Sequence, residues 1–158
     1  MEKIIAIPVR RKFTPIKRTI FKYPRSGIEC MFIQLTKDKG IKIFAKRDEA
    51  VRSHRRQSIA YKHELAPKVL SKVQKCFVGN LHEFDIEELF HVDKAYCYCY
   101  ITQVAKIKRS YKRKMVDDLE ARLIKAKMPR NDLHDGNVGI IDGKLVRIDW
   151  GDCSVNYR

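Results

Sequence analysis

Along the first half of the chain, short apolar runs alternate with polar turns. Residues 4–9 form one such run, and runs at 16–22 and 28–35 flank the turn Tyr23-Pro24-Arg25-Ser26-Gly27. A second turn at 37–40 leads into Ile41-Lys42-Ile43-Phe44. β-Branched and aromatic residues bounded by Gly, Pro and Asp read as strands, so the pattern predicts an initial strand followed by a three-strand meander. From 48 to 63 the pattern predicts a helix that stops before Ala66-Pro67, because proline disfavours the helical conformation in the residue before it.

Residues 95–101 are again strand-like, and Cys97 and Cys99, alternating with Tyr96, Tyr98 and Tyr100, share one strand face. A second helix fits 115–127, with Leu119, Leu123 and Ala126 spaced as an apolar stripe and Pro129 beyond its end. Last come two apolar, largely β-branched runs, 138–141 and 145–148, joined by Asp142-Gly143, the strongest short hairpin signal a sequence carries. The whole reads as an α+β fold.

At 158 residues and 44% hydrophobic content, one domain with a real core is expected. Five cysteines without regular spacing, and no secretory signal, point to reduced, buried thiols and a cytoplasmic setting. No apolar run approaches the roughly 20 residues of a membrane span, so a soluble chain without a membrane partner is expected.

The formal charge of +15, from 34 Lys and Arg against 19 Asp and Glu, favours anionic partners: nucleotides, acidic proteins or nucleic acids. The densest run holds Lys106, Lys108, Arg109, Lys112, Arg113 and Lys114 around Tyr111; a second holds Arg52, His54, Arg55 and Arg56. No nucleic-acid-binding module is recognisable, which leaves these runs as solvated faces before specific polyanion sites.

Chemistry concentrates near the C-terminus, in Asn131-Asp132-Leu133-His134-Asp135-Gly136-Asn137 and, after the hairpin, Asp149-Trp150-Gly151. Phosphoryl transfer needs a carboxylate near the attacking hydroxyl and oxygen ligands that hold magnesium against phosphates. Asp132 suits the first role, Asn137 and Asp149 the second, and the hairpin brings Asp149 back beside Asn137. Residues 132–151 resemble the catalytic and metal-binding loops of the protein-kinase-like superfamily. The Asp-Leu-His-x-Gly-Asn form is most similar to aminoglycoside and choline phosphotransferases, RIO-type kinases and phage or viral kinases.

The resemblance implies one minimal kinase-like domain over 1–158: an antiparallel β N-lobe (1–101), a hinge (102–105) and a truncated, mainly helical C-lobe (106–158). It implies ATP and Mg2+ as cofactors, Lys42 as the phosphate-positioning lysine, and backbone groups of Gln103 and Val104 as partners of adenine. It makes residues 67–70 a strand and His134 an anchor of the catalytic loop. The implied activity is that of a minimal Ser/Thr protein kinase acting on a protein substrate, its acceptor platform absent, reduced, or supplied by a second copy or a partner chain.

Some positions depart from the family pattern. The helix glutamate that pairs with the strand lysine is expected near Ser53 or His54, and neither can serve. Glu49, one turn earlier, either replaces it or favours the helix dipole. The turn at 23–27 has one glycine where a phosphate-covering loop has three. Trp150 stands where a phenylalanine is usual, and the substrate-binding helices of the family have no counterpart after Gly151. These departures also fit a pseudokinase, a basic binding module for an acidic protein or nucleic acid.

Overall fold

The computed structural model describes residues 5–9, 12–15, 25–26, 30–78, 95–131 and 133–150. Among these, β1 (Ile5–Val9) pairs with β2 (Lys12–Pro15) and with β6 (Gln74–Val78). A meander of β3 (Arg25–Ser26), β4 (Met31–Gln34) and β5 (Lys39–Phe44) lies at the other side, and β7 (Ala95–Gln103) joins β5 to β6. The seven strands run in the order β2-β1-β6-β7-β5-β4-β3, every pairing antiparallel. With α1 (Arg47–Lys62) and α2 (Arg113–Lys125), the expected α+β class holds.

Strand positions differ from the sequence reading in three places. Lys12–Pro15 forms a strand that the sequence reading did not assign, while the strand expected at 16–22 lies outside the described residues. Arg25 and Ser26, read as turn, pair with Phe32 and Met31. Ladder pairing uses backbone groups that every residue but proline carries in full, so polar residues enter it without an apolar signature. Residues 67–70 contribute only a bridge from Val69 to Thr102, beside a proline that has no N–H to give, and regular pairing resumes at Gln74.

One face of the sheet is apolar. Met31, Ile33, Ile41, Ile43 and Val78 enclose Cys76, Cys97 and Cys99, all fully or almost fully buried. Burial, reinforced by Cys99, pushes the Cys97 thiol up to about 12, so it stays protonated and unreactive, as expected for structural thiols. The opposite face carries Phe44 and Tyr100, whose rings stack with centroids 5.8 Å apart, and receives α1.

α1 approaches through a stripe of small and polar residues, Ala50, Ser53, Gln57 and Ala60, spaced to lie on one side. It ends at Glu64, whose φ of 58° lets the amides of Glu64 and Leu65 reach the carbonyls of Tyr61 and Ala60. That closure drops Leu65 into a second core with Leu119, Leu123, Val138, Leu145 and Trp150. α2 ends in the same way at Lys127.

β8 (Val138–Ile141) and β9 (Lys144–Arg147) form the expected hairpin. Both turn residues, Asp142 (φ 49°) and Gly143 (φ 79°), adopt the left-handed conformation that a two-residue turn between twisted strands requires. A Cβ on Gly139 would meet the Cβ of Ala105 at 2.7 Å, so the hairpin lies directly against the segment leaving β7. Lys106 and Ile140 fasten it there by exchanging backbone bonds of 2.9 and 2.8 Å. No helix among the described residues is long and apolar enough to cross a membrane.

Candidate functional site

Lys42 lies in the middle of β5, in register with Phe32 of β4 and Tyr100 of β7, so all three project to the face that α1 covers. The lysine is buried, and its Nζ donates to Gln57 Oε1 at 3.0 Å and to the Ile148 carbonyl at 2.6 Å. Ile148 in turn donates its amide to the Asn137 carbonyl at 2.9 Å. The hairpin therefore closes as predicted: Asn137 lies opposite the residue that precedes Asp149, and Lys42 is tied to the same segment.

Gln57 is fully buried and uses both ends of its amide. Its Oε1 accepts from Lys42 and from the Tyr100 hydroxyl (3.0 Å), while Nε2 donates to the Pro67 carbonyl (2.9 Å) and Thr102 Oγ1 (2.6 Å). The Tyr100 hydroxyl also bonds Ser53 Oγ at 2.9 Å. Helix, sheet and the 66–69 segment thus meet on one side chain. No buried side-chain N or O among the described residues lacks a partner.

This network corrects the expected partner of Lys42. Glu49 points to Lys46, 3.8 Å away, and Ser53 serves Tyr100; the helix residue on the lysine is Gln57, one turn after Ser53. Counting back from Pro67 missed it because α1 is followed by the left-handed turn at Glu64 and a buried Leu65, so the helix register relative to the proline differs from the assumed one. The available signal was Gln57 itself, a polar residue at the i, i+3, i+7 spacing of Ala50 and Ser53.

Burial lowers the Lys42 pKa from its ordinary 10.5; Cys30 and Asp149 oppose this in part, and Arg147 adds to it. Between the lowered value and 10.5 the unfolded chain therefore binds more protons than the folded one, so this lysine makes stability rise with pH across that window. Tyr100, raised by burial from 10.0, acts in the opposite sense at higher pH. The denaturation midpoint of the wild type relative to Lys42→Met is expected to increase with pH below 10, and parallel curves would contradict the burial of a titrating lysine.

Arg147, also buried, donates from Nε to the Asp149 carbonyl at 2.6 Å and from its guanidinium to the Pro129 carbonyl at 3.2 Å. Its guanidinium lies 5.1 Å from the Trp150 ring centre, and Trp150 Nε1 donates to the Arg147 carbonyl at 2.9 Å. Together they fix the backbone that presents Asp149. The turn before Asn137 is shaped by His134, whose Nδ1 accepts from the Gly136 amide (3.0 Å) and whose carbonyl accepts from the Asn137 amide (2.8 Å). Asp132 lies outside the described residues.

The amides expected to meet adenine are engaged within the fold. Gln103 N donates to the Lys68 carbonyl at 2.8 Å and Val104 N to the Asp38 carbonyl at 3.0 Å. A base at this strand end would have to displace those bonds or use carbonyls and packing instead.

Asn137 and Asp149 supply an amide oxygen and a carboxylate, hard donors of the kind magnesium takes, and a lysine ammonium has three N–H groups of which two make the bonds described. The donor types thus fit a metal-bound polyphosphate. Among the described residues no three His, Cys, Asp or Glu cluster for a metal. No family model, curated protein or solved structure matches the chain.

Proposed function

We propose that the chain is a minimal kinase-like phosphotransferase that uses Mg-ATP, with a Ser or Thr hydroxyl of a protein as acceptor. One observation carries this: Lys42, on the third strand of the meander, bonds the carbonyl of Ile148, whose amide bonds Asn137 and whose neighbour is Asp149. A phosphate-positioning lysine and two candidate metal ligands, about a hundred residues away in sequence, are thereby linked through one backbone segment. The helix after that strand orients the lysine, as the helix after the lysine strand does in kinases.

In this reading Lys42 offers its third N–H to phosphate oxygens, Asn137 and Asp149 hold magnesium, and Asp132 accepts the proton of the acceptor hydroxyl. Magnesium when bound neutralises charge on the phosphates. Arg147 and Trp150 keep the Asp149 backbone in place, and Gln57 orients Lys42.

A second reading, a pseudokinase that binds nucleotide or an acidic partner without turnover, draws on the neutral Gln57 where kinases place a glutamate and on the engaged amides of Gln103 and Val104. Thermal unfolding with and without Mg-ATP tests the nucleotide site common to both. At about a hundred times its Kd, the ligand adds about 2.7 kcal/mol, roughly 5–10 °C for a domain of this size. The shift is expected to need magnesium and to vanish in Asp149→Asn. An absent shift in the wild type, or an equal shift in the variant, would overturn the assignment.

A further inference from the structure

The chain segment that leaves β7 and enters the first turn of α2 forms a cationic ridge. Six of its nine residues from 106 to 114 are Lys or Arg, and Lys106, Lys108, Arg109, Lys112, Arg113 and Lys114 are all exposed. The segment has no regular secondary structure before α2, yet it is held firmly. Lys106 exchanges two backbone bonds with Ile140, and the Tyr111 hydroxyl donates to the Val138 carbonyl at 3.1 Å while accepting from the Lys108 amide at 2.9 Å. The ridge is thus anchored to the same hairpin that leads into Asp149.

Where the ridge enters α2, a cavity of about 250 Å³ opens between Lys112, Lys114 and Lys144, with Met115 and the buried Leu145 in its wall. Asp118 also lines it, with its Oδ2 paired to Arg122 at 2.8 Å, so lysines outnumber carboxylates three to one in the lining. Lys144 is shared with Glu64 at 2.6 Å. A compact anion on a short apolar stem fits these walls: ammonium groups at the rim and aliphatic carbon below.

We propose that this ridge and cavity dock an acidic segment of a partner polypeptide, with a Glu or Asp side chain entering the cavity. Charge complementarity selects an anionic partner, and the ridge selects against bases: its aromatic residue, Tyr111, packs against the core that includes Leu119 and Trp150 and has its hydroxyl engaged, so it offers no stacking platform. Docking itself requires no phosphotransfer. That the docked segment carries the phosphate acceptor rests on the function proposed above, and it would place a Ser or Thr in an acidic context.

Fluorescence anisotropy of a labelled Glu-rich peptide containing one serine tests the docking, at about 0.15 M salt where long-range attraction is screened beyond about 8 Å. Binding is expected to weaken about tenfold or more in Lys112→Glu/Lys114→Glu and to change little in Lys62→Glu/Lys72→Glu, which alters net charge equally at exposed sites elsewhere. No binding, an equal loss in both variants, or displacement of the peptide by a single-stranded oligonucleotide at lower concentration would overturn the proposal. Stabilisation by Mg-ATP, measured on the same proteins, is expected to survive the ridge reversal. Its absence from the wild type beside intact peptide binding would remove the acceptor role and leave the docking surface standing.

Discussion

Gln57→Leu is expected to destabilise the protein by about 3–5 kcal/mol, the scale for leaving a buried charge without its partner. Leucine fills the volume but removes the acceptor shared by Lys42 and Tyr100 and the donor to Pro67 and Thr102. Lys42 keeps only the Ile148 carbonyl of its two bonds described here, at a position where burial already disfavours its charge. Gln57→Glu should cost less, because it preserves acceptor oxygens and adds a compensating charge while losing the two amide donors. Adding Lys42→Met to Gln57→Leu should recover a large part of the loss, since removing both members of a buried polar pair is far milder than removing one. Denaturant midpoints with unchanged slope read these differences. A cost under about 1 kcal/mol, the range of an ordinary exposed substitution or a single net hydrogen bond, would show that Gln57 does not hold the helix, sheet and lysine together.

Asp132→Ala is expected to lower the rate of phosphate transfer about a hundredfold or more, the usual scale for a positioned general base. Asp132 precedes the tight turn in which His134 binds Gly136 and Asn137, and that turn leads directly into β8. Its assigned work concerns the acceptor hydroxyl, so the stabilisation given by Mg-ATP should persist in the variant. Transfer to a Glu-rich serine peptide, or to the chain itself, provides the rate. An unchanged rate in an otherwise active protein would remove Asp132 from the chemistry, and loss of nucleotide stabilisation would move it to binding.

The hairpin was the most legible part of the sequence because its signals are local: apolar runs of matched length and a turn whose two residues tolerate positive φ. From that turn alone the return of Asp149 toward Asn137 follows. The strand of Lys42 was legible for the same reason, between Ile41 and Ile43. What lies at the end of the lysine was not. Its partners are 15 and 106 residues away, and they depend on the rotation of α1 and on the seating of Ile148, neither of which leaves a local pattern.

Buried polar residues leave no signature in the sequence for a related reason. Arg147 reads as one more cation in a basic chain, yet it is 1% exposed because two backbone carbonyls and the Trp150 face take its guanidinium. Nothing local marks Gln57 and Ser53 as inward-facing, and the structure turns them in where the sheet offers Tyr100, Thr102 and Lys42. Edge pairing such as Arg25 and Ser26 was equally silent, since backbone groups alone make it. The engaged amides of Gln103 and Val104 belong with these, because their acceptors, Lys68 and Asp38, come from separate irregular segments.

The central claim is that Lys42 faces the phosphates of a bound nucleotide. An acyl-phosphate derivative of ATP transfers its acyl group to a lysine amine beside its phosphate chain, and mass spectrometry of the digested protein identifies which lysine received it. Labelling concentrated on Lys42, suppressed by excess Mg-ATP and lost in Asp149→Asn, is the result this structure leads to. Labelling spread over the exposed lysines of the ridge and unaffected by Mg-ATP would contradict it.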